Sequence, residues 1–215
     1  VTERSENTIT ETSNDHIGDS LVVPFIAGTV ELDGIIDEAV WEEATKVPLT
    51  FVTRPFENTT PPVLTTARIF ENGENIYIAF SAQDDDPSQL RALFRDRDNV
   101  WDNDLVGIKI ATFGDSRLSY QFFVNPRGIQ SDAIENQMTL SESDSWNAIW
   151  DAQAQITQDG YTVEIALPFR IMNFLDSDGP KRWRAEFVRF YPRENNLRIS
   201  NRPVDRNNAC GLCQM

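Results

Sequence analysis

The chain has 215 residues, and its 34 acidic and 19 basic side chains give a formal net charge of −15. A field of this sign repels polyanions and so disfavours nucleic-acid binding, whereas neutral sugars, divalent cations or simple solubility are all compatible with it. No window approaches the run of about 18 apolar residues that a membrane-spanning helix needs. The length suits a single β-sandwich or barrel.

Composition divides the chain into three parts. Residues 1–20 are rich in Thr, Ser, Asn, Glu and Asp and are predicted to form a flexible leader, because they have little apolar surface to offset the entropy of ordering. Residues 21–200 are predicted to form the folded domain, and residues 201–215 a C-terminal linker to a following region. The start at Val1, without a signal peptide, is typical of a mature or recombinant fragment.

The folded part opens with short apolar segments. Leu21–Ile26 is an apolar run, and Gly28–Gly34 is predicted to be a short strand that ends in a turn. Asp37–Ala44 is predicted to be a helix, since Asp37 can cap it and acidic residues fill its first turn. Trp41 on this helix is predicted to be structural and to plug one end of the fold.

Segments in which apolar and polar residues alternate dominate the rest of the chain. Turn signals such as Asn72-Gly73 and Asp159-Gly160 separate them, and Pro168–Phe174 is predicted to be a helical turn. The predicted strands are Thr65–Phe70, Asn75–Ala82, Val106–Ile110, Leu118–Val124, Trp150–Ile156, Tyr161–Leu167 and Trp183–Tyr191. Such a succession predicts an all-β antiparallel sandwich or flattened barrel.

Five motifs resemble those of the family 9 carbohydrate-binding modules and follow one another in the family's order. They are VELDGIIDEAVWEEA at residues 30–44, NIYIAF with DDDP at residues 75–87, WDNDLVGI at residues 101–108, YQFFVNPRG at residues 120–128 and GYTVEIALPF at residues 160–169. The resemblance covers residues 30–190. It implies a jelly-roll-like antiparallel β-sandwich with one or two short helices, and a non-catalytic domain that binds an oligo- or polysaccharide.

A narrower resemblance rests on Arg95-Asp96, on the VNPRG segment and on Trp183. It is to a subgroup in which the module is the N-terminal, extracytoplasmic part of a large protein of Gram-negative bacteria, located in the periplasm, in the outer membrane or at the cell surface. The region that follows in that subgroup is an outer-membrane β-barrel of unknown function. The alternative function is therefore a structural or protein-interaction domain, attached to the barrel, with a vestigial sugar cleft.

Saccharide sites combine an aromatic platform with polar side chains around it, and the resembled family is described as clamping a terminal sugar between two Trp rings. Trp101 is the predicted platform, because it lies in a stretch too polar for a core. Trp146, in a polar loop, is the candidate for the second platform. Trp150 and Trp183 belong to alternating segments and are predicted to be core residues.

The candidate polar contacts around these rings are Arg95, Asp104, Asn125, Arg127 and Arg189. Arginine offers a rigid fork of donors that suits vicinal hydroxyls or a carboxylated sugar. The alternative for each charged residue is a surface salt bridge, which contributes little to stability. For the segment from Asn125 to Gly128 the alternative is a hairpin turn, because Asn-Pro and Gly are turn residues.

Asp84, Asp85 and Asp86 form the candidate metal site, because adjacent carboxylates repel one another unless a cation or an Arg neutralises them. Calcium accepts six to eight oxygen ligands, and the resembled family is known for binding calcium. The spacing is not that of an EF-hand loop, and the alternative is a solvated turn. Calcium is therefore the one cofactor that the sequence suggests.

No catalytic constellation is found in the sequence. His16, the only histidine, lies in the predicted leader, so neither a Ser-His-Asp triad nor a zinc site is predicted. A carboxylate pair for glycoside hydrolysis stays open among 34 acidic residues, although no spacing singles one out. Cys210 and Cys213 form a lone CxxC, which indicates either a local disulfide or two thiols that belong to a following region.

Overall fold

The computed structural model describes residues 20–175 and 179–215, so His16 and nearly all of the predicted leader lie outside the described residues. The one α-helix of the described residues, α1, spans Val40–Glu43, and single 3-10 turns occur at Pro87–Gln89, Phe169–Ile171 and Leu212–Gln214. The strands are β1 Thr45–Pro48, β2 Phe51–Arg54, β3 Thr65–Glu71, β4 Asn75–Gln83, β5 Leu105–Ala111, β6 Leu118–Val124, β7 Gln130–Asn136, β8 Ser141–Ser143, β9 Asp151–Thr157, β10 Gly160–Pro168, β11 Arg184–Tyr191 and β12 Leu197–Ser200.

These strands form two antiparallel sheets, which confirms the predicted sandwich. One sheet has the order β1-β3-β4-β10-β9, and the other has the order β2-β12-β11-β5-β6-β7-β8. The core lies between them, where Phe80 of β4 meets Phe187 of β11 at a ring-centroid distance of 6.1 Å. Within the described ranges, no helix has the length and apolar character that crossing a bilayer requires.

The alternation of side chains gives each sheet an inner and an outer face. On β5, Val106 and Ile108 belong to the core between the sheets, whereas Leu105 belongs to a separate apolar cluster on the outer face. On β6, Phe122 points inward and Phe123 outward in the same way. The outer face of the seven-stranded sheet therefore carries its own apolar cluster, and the candidate site is built there.

All seven predicted strands are present, with no bound shifted by more than one residue, and the helical turn near Phe169 is confirmed. The predicted strand Gly28–Gly34 is wrong; only Phe25, before it, makes an isolated bridge, to Glu71. The strand β7 lacks apolar alternation because Asp132, opposite Phe122, is buried and accepts bonds from Arg97 and from the amide of Ala148. The strands β1, β2, β8 and β12 are only three or four residues long, too short for alternation to identify them.

The region around α1 covers the outer face of the five-stranded sheet. The helix is a single turn, and its N-cap residue is Ala39, which makes no side-chain bond, so the expected cap at Asp37 is wrong. Trp41 is 1% exposed and makes an edge contact with Phe70 of β3, at 5.2 Å between centroids. Its structural role is confirmed, but it packs on a sheet face rather than plugging one end of the sandwich.

One buried carboxylate explains why this opening motif pairs Asp-Gly with Trp. Glu164 of β10 accepts hydrogen bonds from the amides of Asp33 (3.1 Å) and Gly34 (2.9 Å) and from the indole Nε1 of Trp41 (3.0 Å). Gly34 has φ +86°, and a Cβ there would lie 2.8 Å from the backbone of Ala154, so only glycine fits. The motif therefore holds Asp33, Gly34 and Trp41 against Glu164 of β10, and we call these four residues the clasp.

Burial raises the pKa of Glu164 to about 7, although the bonds from Gly34, Asp33 and Trp41 oppose this shift. Since an exposed Glu has a pKa of about 4.5, the folded protein binds this proton more tightly than the unfolded chain does. The stabilisation that comes from this tighter proton binding is therefore fully present below about pH 4.5 and is lost as the pH rises through about 7. The free energy of unfolding lost over this range is about 3 kcal/mol. We expect the free energy of unfolding of the wild type, minus that of Glu164→Gln, to fall by this amount between about pH 4 and about pH 8 in urea titrations. A difference that stays constant with pH would contradict this assignment.

The C-terminal segment packs on the outer face of the seven-stranded sheet. Leu212 and Met215 are buried against Ala111 at the end of β5. Cys210 and Cys213 form a disulfide, which confirms the first of the two readings of this pair. The part of residues 201–215 nearest the end therefore contacts the domain, while its predicted role as a link to a following region stays a prediction.

Candidate functional site

Residues 91–103, which we call the aromatic loop, lie before β5 and carry Trp101 to the outer face of the seven-stranded sheet. The Trp101 ring makes edge contacts with Phe123 of β6 at 5.3 Å and with Phe190 of β11 at 5.9 Å between centroids. Phe123 and Phe190 also contact each other at 5.6 Å. Trp101 remains 46% exposed, so about half of an anchored indole faces solvent.

Glycine is required beneath this aromatic cluster. A Cβ on Gly107 of β5 would lie 2.4 Å from the ring of Phe123 and 2.2 Å from the carbonyl oxygen of Phe122. The ring of Phe123 therefore lies across the bare backbone of the neighbouring strand. A side chain at position 107 would therefore displace Phe123, which is one of the two rings that Trp101 contacts.

Buried amides and a carboxylate hold the two limbs of the aromatic loop together. The Oδ1 of Asn103 accepts the amide of Leu93 (2.6 Å), and the Nδ2 of Asn125 donates to the carbonyl of Leu93 (3.1 Å). Asp104 accepts the amide of Arg91 at 2.8 Å and donates its own amide to the carbonyl of Arg91 at 2.9 Å. Asp104 and Asn125 are 0% exposed, so their side chains position the loop and are not accessible from its surface.

A buried ion network lies next to these amides. Arg193 bridges Asp84 (2.6 Å) and Asp104 (2.9 Å), and burial raises the pKa of Asp104 although Arg193 opposes that shift. Arg189 lies between the sheets, fully buried, 3.6 Å from Asp84, and donates to Thr65 at 2.9 Å. Arg189 was a candidate ligand contact, but its guanidinium is directed into the protein and offers nothing to the outer face.

The Asp84–Asp86 segment does not fit a calcium site. Asp84 is neutralised by Arg193, while Asp86 accepts bonds from the amide and hydroxyl of Ser88 and from Gln89, and Asp85 is exposed. Calcium requires six to eight oxygens that converge on one point. Across residues 20–175 and 179–215, no group of three or more metal-ligating side chains converges. A role for calcium stays a prediction without assigned ligands.

Trp101 and Trp146 do not form a pair. Trp146 is half-buried against the core-facing residues Tyr120 (5.1 Å) and Phe122 (5.9 Å), whereas Trp101 contacts the outward-facing Phe123. Neighbouring residues of a strand point to opposite faces, so the two indoles lie on opposite faces of the sheet and cannot enclose one sugar ring.

The other two Trp residues that were predicted to be core pack as expected. Trp150 is buried against Phe122, at 5.4 Å between ring centroids. Trp183 is half-buried and contacts Phe169 and Phe174 at the margin of the core. Neither ring is available as a second platform beside Trp101.

The structure adds a second exposed aromatic residue, Phe94, on the limb of the loop that is bonded to the limb of Trp101. Phe94 is 76% exposed, and the guanidinium of Arg127 lies over its ring at 4.4 Å, with the Nε of Arg127 donating to the carbonyl of Ala92 at 2.5 Å. Arg95 forms an exposed ion pair with Asp102 at 2.7 Å. A single Phe among charged residues, as in Ala-Leu-Phe-Arg-Asp, is the signal that could have identified it.

The fold and this surface together define an antiparallel β-sandwich whose outer face carries a hydrogen-bonded loop with a half-exposed indole and guanidinium groups. The chain belongs to the carbohydrate family 9 binding domain-like family, whose model matches residues 32–188. This match spans the clasp of Glu164, the aromatic loop and most of β11.

Solved structures support the same fold at low sequence identity. A Bacteroides uniformis protein, provisionally described as carbohydrate-binding, is 15% identical with a TM-score of 0.66, covering 86% of this chain and 89% of that one. A family 9 carbohydrate-binding module of Caldicellulosiruptor kristjanssonii in complex with cellotriose is 14% identical with a TM-score of 0.62, covering 90% of each chain. A family 9 module of that organism in complex with glucose is 14% identical with a TM-score of 0.59, covering 84% of each chain. The search of curated proteins found no match.

Proposed function

We propose that this chain is a non-catalytic, extracytoplasmic domain that captures a saccharide on the aromatic loop, with Trp101 as the platform. The observation that carries the proposal is the exposure of an anchored indole whose loop is held by buried polar residues. An apolar ring rimmed by planar polar groups suits the C–H faces and hydroxyls of a pyranose. Family membership and the sugar complexes of similar modules support it.

The proposed contacts are those side chains that solvent reaches. Trp101 supplies the stacking surface, while Arg95 and Arg127 offer donors at the rim. Asp104, Asn125 and the unpredicted Asn103 act through the loop's backbone as positioning residues. One platform and an open rim predict modest affinity, because a sugar must give up good hydrogen bonds to water.

Replacing Trp101 with alanine is expected to weaken saccharide binding at least tenfold, which is about 1.4 kcal/mol, because the stacking surface is lost. Calorimetric titration with glucose, cellotriose and a glycan panel, in calcium and in EDTA, measures this and tests the calcium prediction. Phe25→Ala is the matched control, since Phe25 is also an exposed aromatic but bridges to β3 of the other sheet. No binding of any saccharide by the wild type, in either buffer, would overturn the proposed function.

A second candidate is an interaction domain that docks on a neighbouring region, such as an outer-membrane barrel that follows it. The observation in its favour is that Leu93, Phe94 and Trp101 of one loop are all exposed apolar side chains. Under this alternative no saccharide would bind in the titrations. Trp101→Ala would instead weaken association with the following region.

An extracytoplasmic location is part of the proposal. Disulfides form and persist in oxidising compartments, and the pairing of Cys210 with Cys213 supports such a setting. The acidic net charge of −15 is compatible with a soluble surface module.

A further inference from the structure

We propose that the saccharide bound by the aromatic loop is acidic, carrying a carboxylate of the uronic-acid type that pairs with Arg127. This inference rests on the proposed function and names the ligand class of the same site. Three observations support it: charges that remain unpaired around the loop, the fixed orientation of one guanidinium, and the bonds that join its limb of the loop to that of Trp101.

The charges of the loop are unevenly matched. Arg95 pairs with Asp102, and Arg97 pairs with the buried Asp132 and lies 3.8 Å from Asp98. Three charged side chains at this surface have no oppositely charged partner among the described residues, namely Arg91, Asp96 and Arg127. Their sum is one positive charge, on a chain whose net charge is −15. Arg127 is one of these unpaired cations, and its fixed orientation is what distinguishes it.

Arg127 is oriented before any ligand arrives. Its Nε donates to the carbonyl of Ala92, and its guanidinium carbon lies over the ring of Phe94, 4.4 Å from the centroid. Within the described part of the chain, the two terminal nitrogens have no protein acceptor. A guanidinium held in this way loses little side-chain entropy on binding and matches the two oxygens of a carboxylate.

The loop joins the limb that carries Phe94, against which Arg127 lies, to the limb that carries the indole. The bond from Leu93 to Asn103 and the ion pair from Arg95 to Asp102 hold residues 93–95 alongside residues 101–103. Phe94, under Arg127, and Trp101 therefore lie on adjacent limbs of one loop. A sugar ring on Trp101 can extend its carboxylate toward Arg127.

A charged ligand group gains more here than a neutral hydroxyl. Hydrogen bonds to an ionised acceptor are about twice as strong as neutral ones. The acidic remainder of the protein opposes an anionic ligand only weakly, because at physiological ionic strength charges beyond about 8 Å are largely screened. Local pairing with Arg127 should therefore outweigh the net charge.

The test compares acidic trisaccharides with their methyl esters, which keep the sugar rings and remove the charge. Trimers of galacturonate, glucuronate and mannuronate, each with its ester, are titrated against the wild type, Arg127→Gln and the control Arg117→Gln. Arg117 is an exposed arginine that lies elsewhere, 3.5 Å from Asp115. We expect the wild type and Arg117→Gln to bind at least one acid tenfold more tightly than its ester. Arg127→Gln should lose that preference, so that it binds each acid no more tightly than the corresponding ester.

The outcomes separate this inference from the function it rests on. If neutral sugars such as cellotriose bind and no acid exceeds its ester, the acidic ligand is overturned and the proposed function stands. If Arg127→Gln keeps the full preference for the acid, the role of Arg127 is overturned. If no saccharide of either kind binds, the proposed function itself fails.

Discussion

Replacing Arg193 with methionine is expected to lower the free energy of unfolding by about 3–5 kcal/mol, because it leaves buried carboxylates without their main partner. Asp84 and Asp104 have side chains that are 1% and 0% exposed, and Arg193 is hydrogen-bonded to both. Methionine keeps much of the packing volume, so the loss isolates the charge. Urea unfolding followed by tryptophan fluorescence measures the change.

Arg117→Met is the matched control, since Arg117 is mostly exposed and its ion pair with Asp115 should matter by about 0.5 kcal/mol or less. Asp104→Asn in the Arg193→Met background should restore part of the stability, because it removes one uncompensated charge. A loss below about 1 kcal/mol for Arg193→Met would mean that the network is solvated rather than buried.

Replacing Trp41 with alanine is expected to cost about 3–5 kcal/mol, whereas the same change at Trp101 should cost about 1 kcal/mol. Trp41 is buried on the five-stranded sheet and donates to Glu164, while Trp101 is half exposed. Saccharide titration of the folded proteins should show the opposite pattern, with binding kept in Trp41→Ala and lost in Trp101→Ala. The two substitutions are chemically identical, so location alone separates them.

Trp41→Phe distinguishes packing from hydrogen bonding at the clasp. It keeps a ring against Phe70 but removes the donor to Glu164, so a cost of about 1–3 kcal/mol is expected. If Trp101→Ala proved as destabilising as Trp41→Ala, Trp101 would be a core residue, and its role as a binding platform would have to be abandoned.

In the sequence, polar residues that support the backbone of the aromatic loop look the same as polar residues that could contact a ligand. Asp104, Asn125 and Arg127 all looked like rim groups, since each lies near the platform or in a polar turn. Asp104 and Asn125 are buried because a loop that crosses an apolar cluster needs partners for its backbone amides and carbonyls. Of the three, only Arg127 is exposed.

The sandwich could be predicted because alternation follows directly from the pleat of a strand. Segments such as Leu118–Val124 keep their apolar residues in period two, and the structure has a strand with the same bounds. The strand β7 escaped because Asp132, buried beside Arg97, occupies a position where an apolar residue was expected. A buried carboxylate on an inward-facing position thus removes the alternation of apolar residues by which a strand is recognised.

The sequence by itself determined the all-β class, the positions of most strands along the chain, the family motifs and the choice of Trp101 as an exposed aromatic, since period, turn residues and local polarity are properties of short segments. Only the tertiary structure decided that Trp146 lies on the opposite face from Trp101, that Arg189 and Asp84 belong to a buried network, and that Phe94 lies against Arg127. The physical reason is that burial and facing depend on the register of strands distant in sequence, where a shift of one residue moves a side chain to the other face.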